Sequence, residues 1–290
     1  MLNLLKFVAN HPLNANNKIK ALLRFIRWQA STLLNKYPII YPFTERSKLI
    51  VWKGLTGATQ NVYCGLHEFH DMGFLLHFLR PNDLFVDVGA NIGSYTILAS
   101  AEVGANTIAV EPIPTTFRNL KNNVFINNIQ DLVTMLNIGL GSQIGRILFT
   151  KGGDTLNHVA ISNEIDTIEV DIDTLDNILA HQQPTLLKID VEGFETEVLK
   201  GAEMILRQDR LQAIIIELNG SGSRYGYDEQ YIHNLLITAG FIACQYNPFS
   251  RVLSKIGTYG HHNTIYIRNF DNVTSRLMSA RKFRIHGKEL

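Results

Sequence analysis

Leu84-Phe85-Val86-Asp87-Val88-Gly89-Ala90-Asn91-Ile92-Gly93-Ser94 is the stretch that decides how the rest of this chain is read. An apolar run suited to a buried strand ends in an acid, passes through a glycine-containing turn and enters a helix-compatible segment. In a parallel α/β sheet this order places a ligand crevice at the carboxyl end of the strand, with a helix N-terminus facing it. Two dozen positions later Thr107-Ile108-Ala109-Val110 repeats the pattern and ends in Glu111-Pro112. An acid at the tip of a second strand is placed to accept hydrogen bonds from ribose hydroxyls. Together the two stretches predict a site for an adenosine-containing cofactor.

The residues between the glycines select among such cofactors. A dinucleotide site uses a middle glycine so that backbone can approach a pyrophosphate. Gly89-Ala90-Asn91-Ile92-Gly93 has a turn but no glycine at that position. Asp87 would also repel phosphates, whereas it suits an ammonium group. S-adenosylmethionine carries an ammonium, a carboxylate and a ribose, and no phosphate. It is the expected cofactor. A nicotinamide dinucleotide is the alternative, and a ligand-free strand-to-helix turn is the third reading.

Composition narrows the function class. The 290 residues are 46% hydrophobic and 18% charged, enough apolar material for one large domain with an extension. A net charge of +1 gives no global field, so neither nucleic acid nor an acidic partner is expected. Cys64 and Cys244 form neither a metal spacing nor a disulfide framework and fit a reducing compartment. With no run as long as a membrane span and no secretory pattern, a cytoplasmic protein is expected.

Charge is nevertheless uneven. Residues 1–44 contain Lys6, Lys18, Lys20, Arg24, Arg27 and Lys36, and no acid. Ile19, Leu22, Leu23, Ile26, Ala30, Leu33 and Leu34 fall there at helical spacing. Two readings stand: a helix whose apolar stripe packs on the main domain, and a basic amphipathic helix making peripheral contact with a membrane surface or partner. Arg276, Arg281, Lys282, Arg284 and Lys288 predict a frayed, solvated basic tail over 271–290.

Between these ends, strands alternate with helices. Leu84 to Val88, Thr107 to Val110, Val133 to Leu136, Leu186 to Asp190 and Ala213 to Leu218 read as strands, with Phe241 to Ala243 and Asn263 to Ile267 completing the sheet. Helices are expected over Glu68–Leu79, Tyr95–Ala101, Thr115–Asn128, Gly193–Arg207 and Asp228–Ala239. A β-rich insertion, Arg146 to Phe149 and Thr167 to Val170, brackets the polar loop 151–158. The pattern is that of an α/β fold with a mostly parallel sheet.

Parallel strands send their carboxyl ends to one edge, so acids at those ends converge. Asp87, Glu111, Asp190, Glu192, Glu217 and Asn219 share that rim. Lys188, in an otherwise buried run, is expected to pair with a nearby acid. Asp190, at the tip of the strand beside the cofactor strand, is the first candidate for a general base and Glu192 the second. His158, His261 and His262 are outside candidates, and Glu68 becomes one if its helix folds over the crevice. Asp190, Glu217 and Asn219 would offer oxygen ligands to Mg²⁺, but the expectation is of no metal.

Asp87 to Gly93, Glu111-Pro112, Asp173-Thr174-Leu175-Asp176 and Lys188-Ile189-Asp190-Val191-Glu192-Gly193-Phe194-Glu195, in this order and spacing, resemble the FkbM family of methyltransferases. Val198-Leu199-Lys200-Gly201-Ala202 and Ile215-Ile216-Glu217 extend the resemblance. It implies a Rossmann-like class I methyltransferase fold: a seven-stranded, mostly parallel sheet with helices on both faces, here over 67–270. Residues 1–66 would form an N-terminal helical extension. It further implies S-adenosylmethionine as donor and O-methylation of a small-molecule or saccharide acceptor, such as a sugar, glycolipid or secondary metabolite. By position, Asp87, Gly89, Ala90, Asn91 and Gly93 would hold the methionine end and Glu111 the ribose. Asn137 would border the adenine, where many class I enzymes carry an acid.

Overall fold

The computed structural model of the chain describes residues 2–34, 37–152, 157–162, 164–260 and 262–290. Helices α1 (Leu2–Asn10) and α2 (Lys18–Leu34) open it, followed by a two-stranded hairpin, β1 (Ile39–Pro42) and β2 (Lys48–Val51), and helix α3 (Thr56–Cys64). Helix α2 buries Ala21, Phe25, Trp28 and Thr32. The Phe25 ring lies 4.8 Å from that of Tyr63 on α3. The predicted stripe through Ile19, Leu23, Ile26 and Leu33 faces outward instead. The two large aromatic side chains of the helix, Phe25 and Trp28, are on the docked side and are buried there.

Helix α4 (Phe69–Phe78) precedes β3 (Leu84–Val88), which turns into α5 (Ser94–Ile97) and a wider-wound turn over Leu98–Val103. Then come β4 (Asn106–Val110), α6 (Pro114–Ile126), with proline in its first turn where no N–H is needed, and β5 (Val133–Leu136). The insertion is a small sheet of β6 (Gly139–Leu140), β7 (Gly145–Thr150) and β8 (Thr167–Asp173), with β8 in the middle. Its residues 153–156 lie outside the described residues. Helix α7 (Leu175–Ile178), β9 (Leu186–Ile189), α8 (Glu195–Lys200), β10 (Ala213–Glu217), α9 (Glu229–Thr238), β11 (Ile242–Asn247), β12 (Val252–Lys255) and β13 (Asn263–Ile267) follow.

The central sheet runs β12-β11-β13-β10-β9-β3-β4-β5. Strands β5, β4, β3, β9 and β10 are parallel, and β13 pairs antiparallel to both β10 and β11. The seven expected strands are present, and an eighth, β12, is added at one edge as a hairpin partner of β11. Alternation divides each strand between two cores. Phe85, Leu186 and Ile215 face one side, and Val86, Val88, Leu187, Ile189 and Ile216 the other.

Two sequence expectations fail here. The helix expected over Gly193–Arg207 ends at Lys200, because the Asp176 carboxylate captures the amides of Met204 (3.0 Å) and Ile205 (2.9 Å). The chain after α10 (Phe270–Met278) is no frayed tail. A hairpin of β14 (Arg284–Ile285) and β15 (Lys288–Glu289) buries Phe283, Ile285 and Leu290, while the Arg276 and Arg281 guanidinium groups pair with the buried carboxylates of Asp83 and Glu102. Apolar residues interleaved with the basic ones hold the segment down.

Candidate active site

The chain leaves β3 toward β4 on one side and returns to β9 on the other, so a crevice opens where the strand order reverses. Register places Asp87 beside Lys188, and Lys188 beside Ile215, on the same sheet face. A carboxylate and an ammonium thus stand together in an apolar layer. The Lys188 Nζ donates to Asp190 Oδ2 at 2.8 Å and lies 4.7 Å from the centre of the Tyr95 ring. Burial works against its charge, but the carboxylates of Asp190, Glu68 and Asp87 outweigh it and hold its pKa above the ordinary lysine value. The expected pairing of Lys188 with an acid is present.

Asp87 is fully buried. Its Oδ2 accepts from the Thr96 amide (3.1 Å) and the Thr96 hydroxyl (2.7 Å), which ties it to α5. Its Oδ1 has no hydrogen-bond partner among the described residues. Burial pushes its pKa up, opposed by the Lys188 ammonium. A buried carboxylate oxygen without a donor, on a residue that lines the crevice, is costly unless a ligand supplies one.

The amides of the turn are engaged within it and by the end of β4. The amides of Gly89 and Ala90 both donate to the Val110 carbonyl (3.0 and 2.9 Å), and that of Gly93 donates to the Ala90 carbonyl (2.8 Å). The Asn91 amide donates to Glu111 Oε2 (3.0 Å) and the Ile92 amide to Asn91 Oδ1 (2.7 Å). Every N–H from 89 to 93 is therefore spent within the turn or on the end of β4. Such a loop has no row of free amides to offer a pyrophosphate.

Glu111 takes the Ile113 amide (2.9 Å) on its other oxygen, and burial pushes its pKa up to about 7. It lines the crevice as predicted. Asn137 does not. Its amide donates to the carbonyls of Glu111 (2.8 Å) and Pro112 (2.9 Å), so it braces the turn that carries Glu111, while Ile138 and Gly139 line the cavity.

The cavity is about 230 Å³ and reaches from Asp87 and Glu111 to a group of carboxylates at the ends of β9 and β10. Asp190, Glu192 and Glu217 each bring an oxygen within 4.8 Å of the others. They are the described residues placed to hold a metal ion. Asn219, whose Oδ1 accepts from the Ser221 amide at 2.9 Å, does not line the cavity. Burial and then the Asp190 charge push Glu192 up to about 7 and Glu217 up to about 9. Glu217 Oε2 lacks a partner among the described residues.

Residues from the extension, the segment just after it and the insertion complete the walls. Thr56, Gln60 and His67 line the cavity together with Glu68 and, from the insertion, Phe149 and Asn157. The helix opened by Glu68 does fold over the crevice, held there by Asn263, whose amide donates to Glu68 Oε1 (2.9 Å) and Asp71 Oδ2 (3.2 Å). Burial opposes the charge of Glu68, but His67, Lys188 and the Asn263 donor hold its pKa below the usual value. Sequence reading missed Gln60 and His67 because nothing in their neighbourhood marks a strand end or a turn. His158 contacts Glu164 Oε1 (3.0 Å) and does not line the cavity, His262 is exposed, and His261 lies outside the described residues.

The family model for the methyltransferase FkbM domain matches residues 87–243, which run from the crevice acid of β3 into β11. The chain belongs to the FkbM methyltransferase family. Among relatives of this FkbM chain, the hexuronic acid methyltransferase AglP of Haloferax volcanii is 31% identical over 57% of the chain and 66% of its own length. The 31-O-demethyl-FK506 methyltransferase FkbM of Streptomyces tacrolimicus is 28% identical over 47% and 66%. The matched part thus spans just under two thirds of each relative. Among solved structures, a putative O-methyltransferase from Klebsiella pneumoniae aligns over 69% of the chain and 80% of its own, at 12% identity and a TM-score of 0.39.

Proposed function

We propose that this FkbM-family chain transfers a methyl group from S-adenosylmethionine to a hydroxyl of a sugar, glycolipid or secondary metabolite. The unpartnered, buried Oδ1 of Asp87 carries the cofactor reading, because Asp87 lines the crevice and an amino-acid ammonium would satisfy that acceptor. Glu111 supports it: each of its oxygens holds one backbone amide and keeps a lone pair for a ribose hydroxyl. The turn from 89 to 93, whose amides are all engaged, weighs against a dinucleotide. The names of two relatives, a hexuronic acid methyltransferase and a 31-O-demethyl-FK506 methyltransferase, support an oxygen acceptor.

When bound, S-adenosylmethionine supplies an electrophilic methyl group on a sulfonium. The chain's own part is to position the acceptor oxygen, exclude water and take up the hydroxyl proton. Asp190 and Glu192 are the carboxylates at that end of the cavity. Asp190 is engaged by the Lys188 ammonium. Glu192, pushed to about 7 by burial and the Asp190 charge, exchanges a proton near neutrality, which suits a general base. We assign proton uptake to Glu192 and acceptor positioning to Asp190, the reverse of their order in the sequence reading.

Isothermal titration with S-adenosylhomocysteine and, separately, with NAD tests the cofactor. Binding of the first alone is expected, and binding of NAD alone or of neither would overturn the reading. Labelled-methyl transfer to a panel of uronic-acid saccharides and hydroxylated metabolites then tests the acceptor class.

A further inference from the structure

Helix α2 is apolar on two opposite sides, and only one is used. The packed residues sit at 21, 25, 28 and 32, and the outward residues Ile19, Leu23, Ile26 and Ala30 repeat the same spacing two positions earlier. Two residues on a helix are about 200° of rotation. The second stripe therefore points away from the protein. It continues through Leu33, and Ile19 and Leu33 are each 74% exposed, with Leu34 at 89%. Leu23 and Ile26 are more than half exposed. Aliphatic side chains in a contiguous row differ from the scattered exposed apolar residues of ordinary surfaces and mark something that covers them.

Charge indicates what that is. Lys20 and Arg27 border the stripe on one side and Lys18 on the other, all three exposed. No acid occurs before Glu45, while the whole chain carries only +1. An aliphatic strip flanked by cations whose stems snorkel is the pattern of a helix lying in the interface of an anionic bilayer. No helix among the described residues is long and apolar enough to cross one. A second copy of the chain would instead set the same cations against each other across a twofold axis. We propose that the outward face of α2 docks on an anionic membrane surface. Helix α3, against which α2 packs, carries Thr56 and Gln60 of the cavity wall, so docking would set the crevice one helix away from the bilayer.

Co-sedimentation of the full chain with phosphatidylcholine vesicles, with and without phosphatidylglycerol, tests the proposal. Binding is expected only with the anionic lipid and is expected to weaken with salt. Leu23→Ser with Ile26→Ser should lower the partition at least about tenfold. Lys20→Gln with Arg27→Gln should lower it roughly 30-fold. Both pairs are at exposed positions, and unchanged melting curves would exclude misfolding. No binding by the wild type, binding indifferent to the Leu23 and Ile26 pair, or a solution dimer that this pair dissociates would each overturn it.

Discussion

A Cβ on Gly89 would stand 1.8 Å from the carbonyl oxygen of Asp190. The turn after β3 and the end of β9 thus meet backbone to backbone, and the contact is fixed from the other side by the Asp190 amide donating to the Val88 carbonyl at 3.1 Å. This approach brings Asp87 and the carboxylates of Asp190 and Glu192 into one cavity. Gly89 also has φ +76°, a region costly for other residues. Two independent demands fall on one glycine, and neither is to approach a phosphate.

Gly89→Ala should therefore cost about 2–5 kcal/mol, from overpacking plus left-handed strain. Urea unfolding measures it. Gly240→Ala is the matched control, since Gly240 has φ +87° and nothing within 4 Å of the added Cβ. Its cost should be only about 1–2 kcal/mol. Equal costs at the two sites would mean that the contact with Asp190 contributes nothing.

Asp87→Asn keeps the shape of the side chain and an oxygen for the Thr96 donors while removing the charge. S-adenosylhomocysteine affinity should fall about 10–100-fold, the range for losing a charge-assisted hydrogen bond. Folding stability should hold or rise, because burial already opposes the Asp87 charge. Calorimetric titration and a melting curve on the same sample distinguish loss of a ligand contact from loss of the fold.

Much of this site is legible in the sequence because strand-end acids are local signals. Asp87, Glu111, Asp190 and Glu217 each lie at the end of an apolar run, Glu192 follows Asp190 by two residues, and parallel topology gathers them. Asn137 sits in the same pattern, yet its amide is spent on the Glu111–Pro112 backbone, a choice of rotamer and loop path that no spacing encodes. Gln60 and His67 reach the cavity through tertiary packing of α3, steered by Asn61, which donates to Ser94 Oγ (3.2 Å) and accepts from the His67 amide (3.0 Å). Helix α2 shows the same limit: periodicity finds both stripes, but only the packing of Phe25 and Trp28 decides which one is buried.

Glu192 should set the acid limb of the rate profile. A base works when deprotonated, so kcat/KM should rise with pH through about 7, the value to which burial and Asp190 push it. Glu192→Gln should cost about 10²–10⁴-fold and abolish the limb. Asp190→Asn removes the neighbouring charge that helps raise Glu192, so its limb should move to lower pH. A limb unmoved by either substitution would assign the proton elsewhere.

Glu217 makes the stability of the ligand-free protein depend on pH in a definite direction. Its pKa rises from the ordinary 4.5 to about 9 on folding, through burial and the charges of Asp190, Glu192 and Glu195. Between those values the folded state binds more protons than the unfolded chain, so stability is full below about 4.5 and declines as pH climbs toward 9. Glu217→Gln has no proton to lose. The variant should melt near the wild type at pH 5 and above it at pH 8, and each 1 kcal/mol gained should appear as roughly 2–4 °C. Repeating the scan with Mg²⁺ probes the same carboxylates in their other capacity. Groups that serve by holding protons leave the melting point indifferent to the ion, and that is the expected result. A Mg²⁺-dependent rise in the wild type that Glu217→Gln removes would instead make Asp190, Glu192 and Glu217 a cation seat.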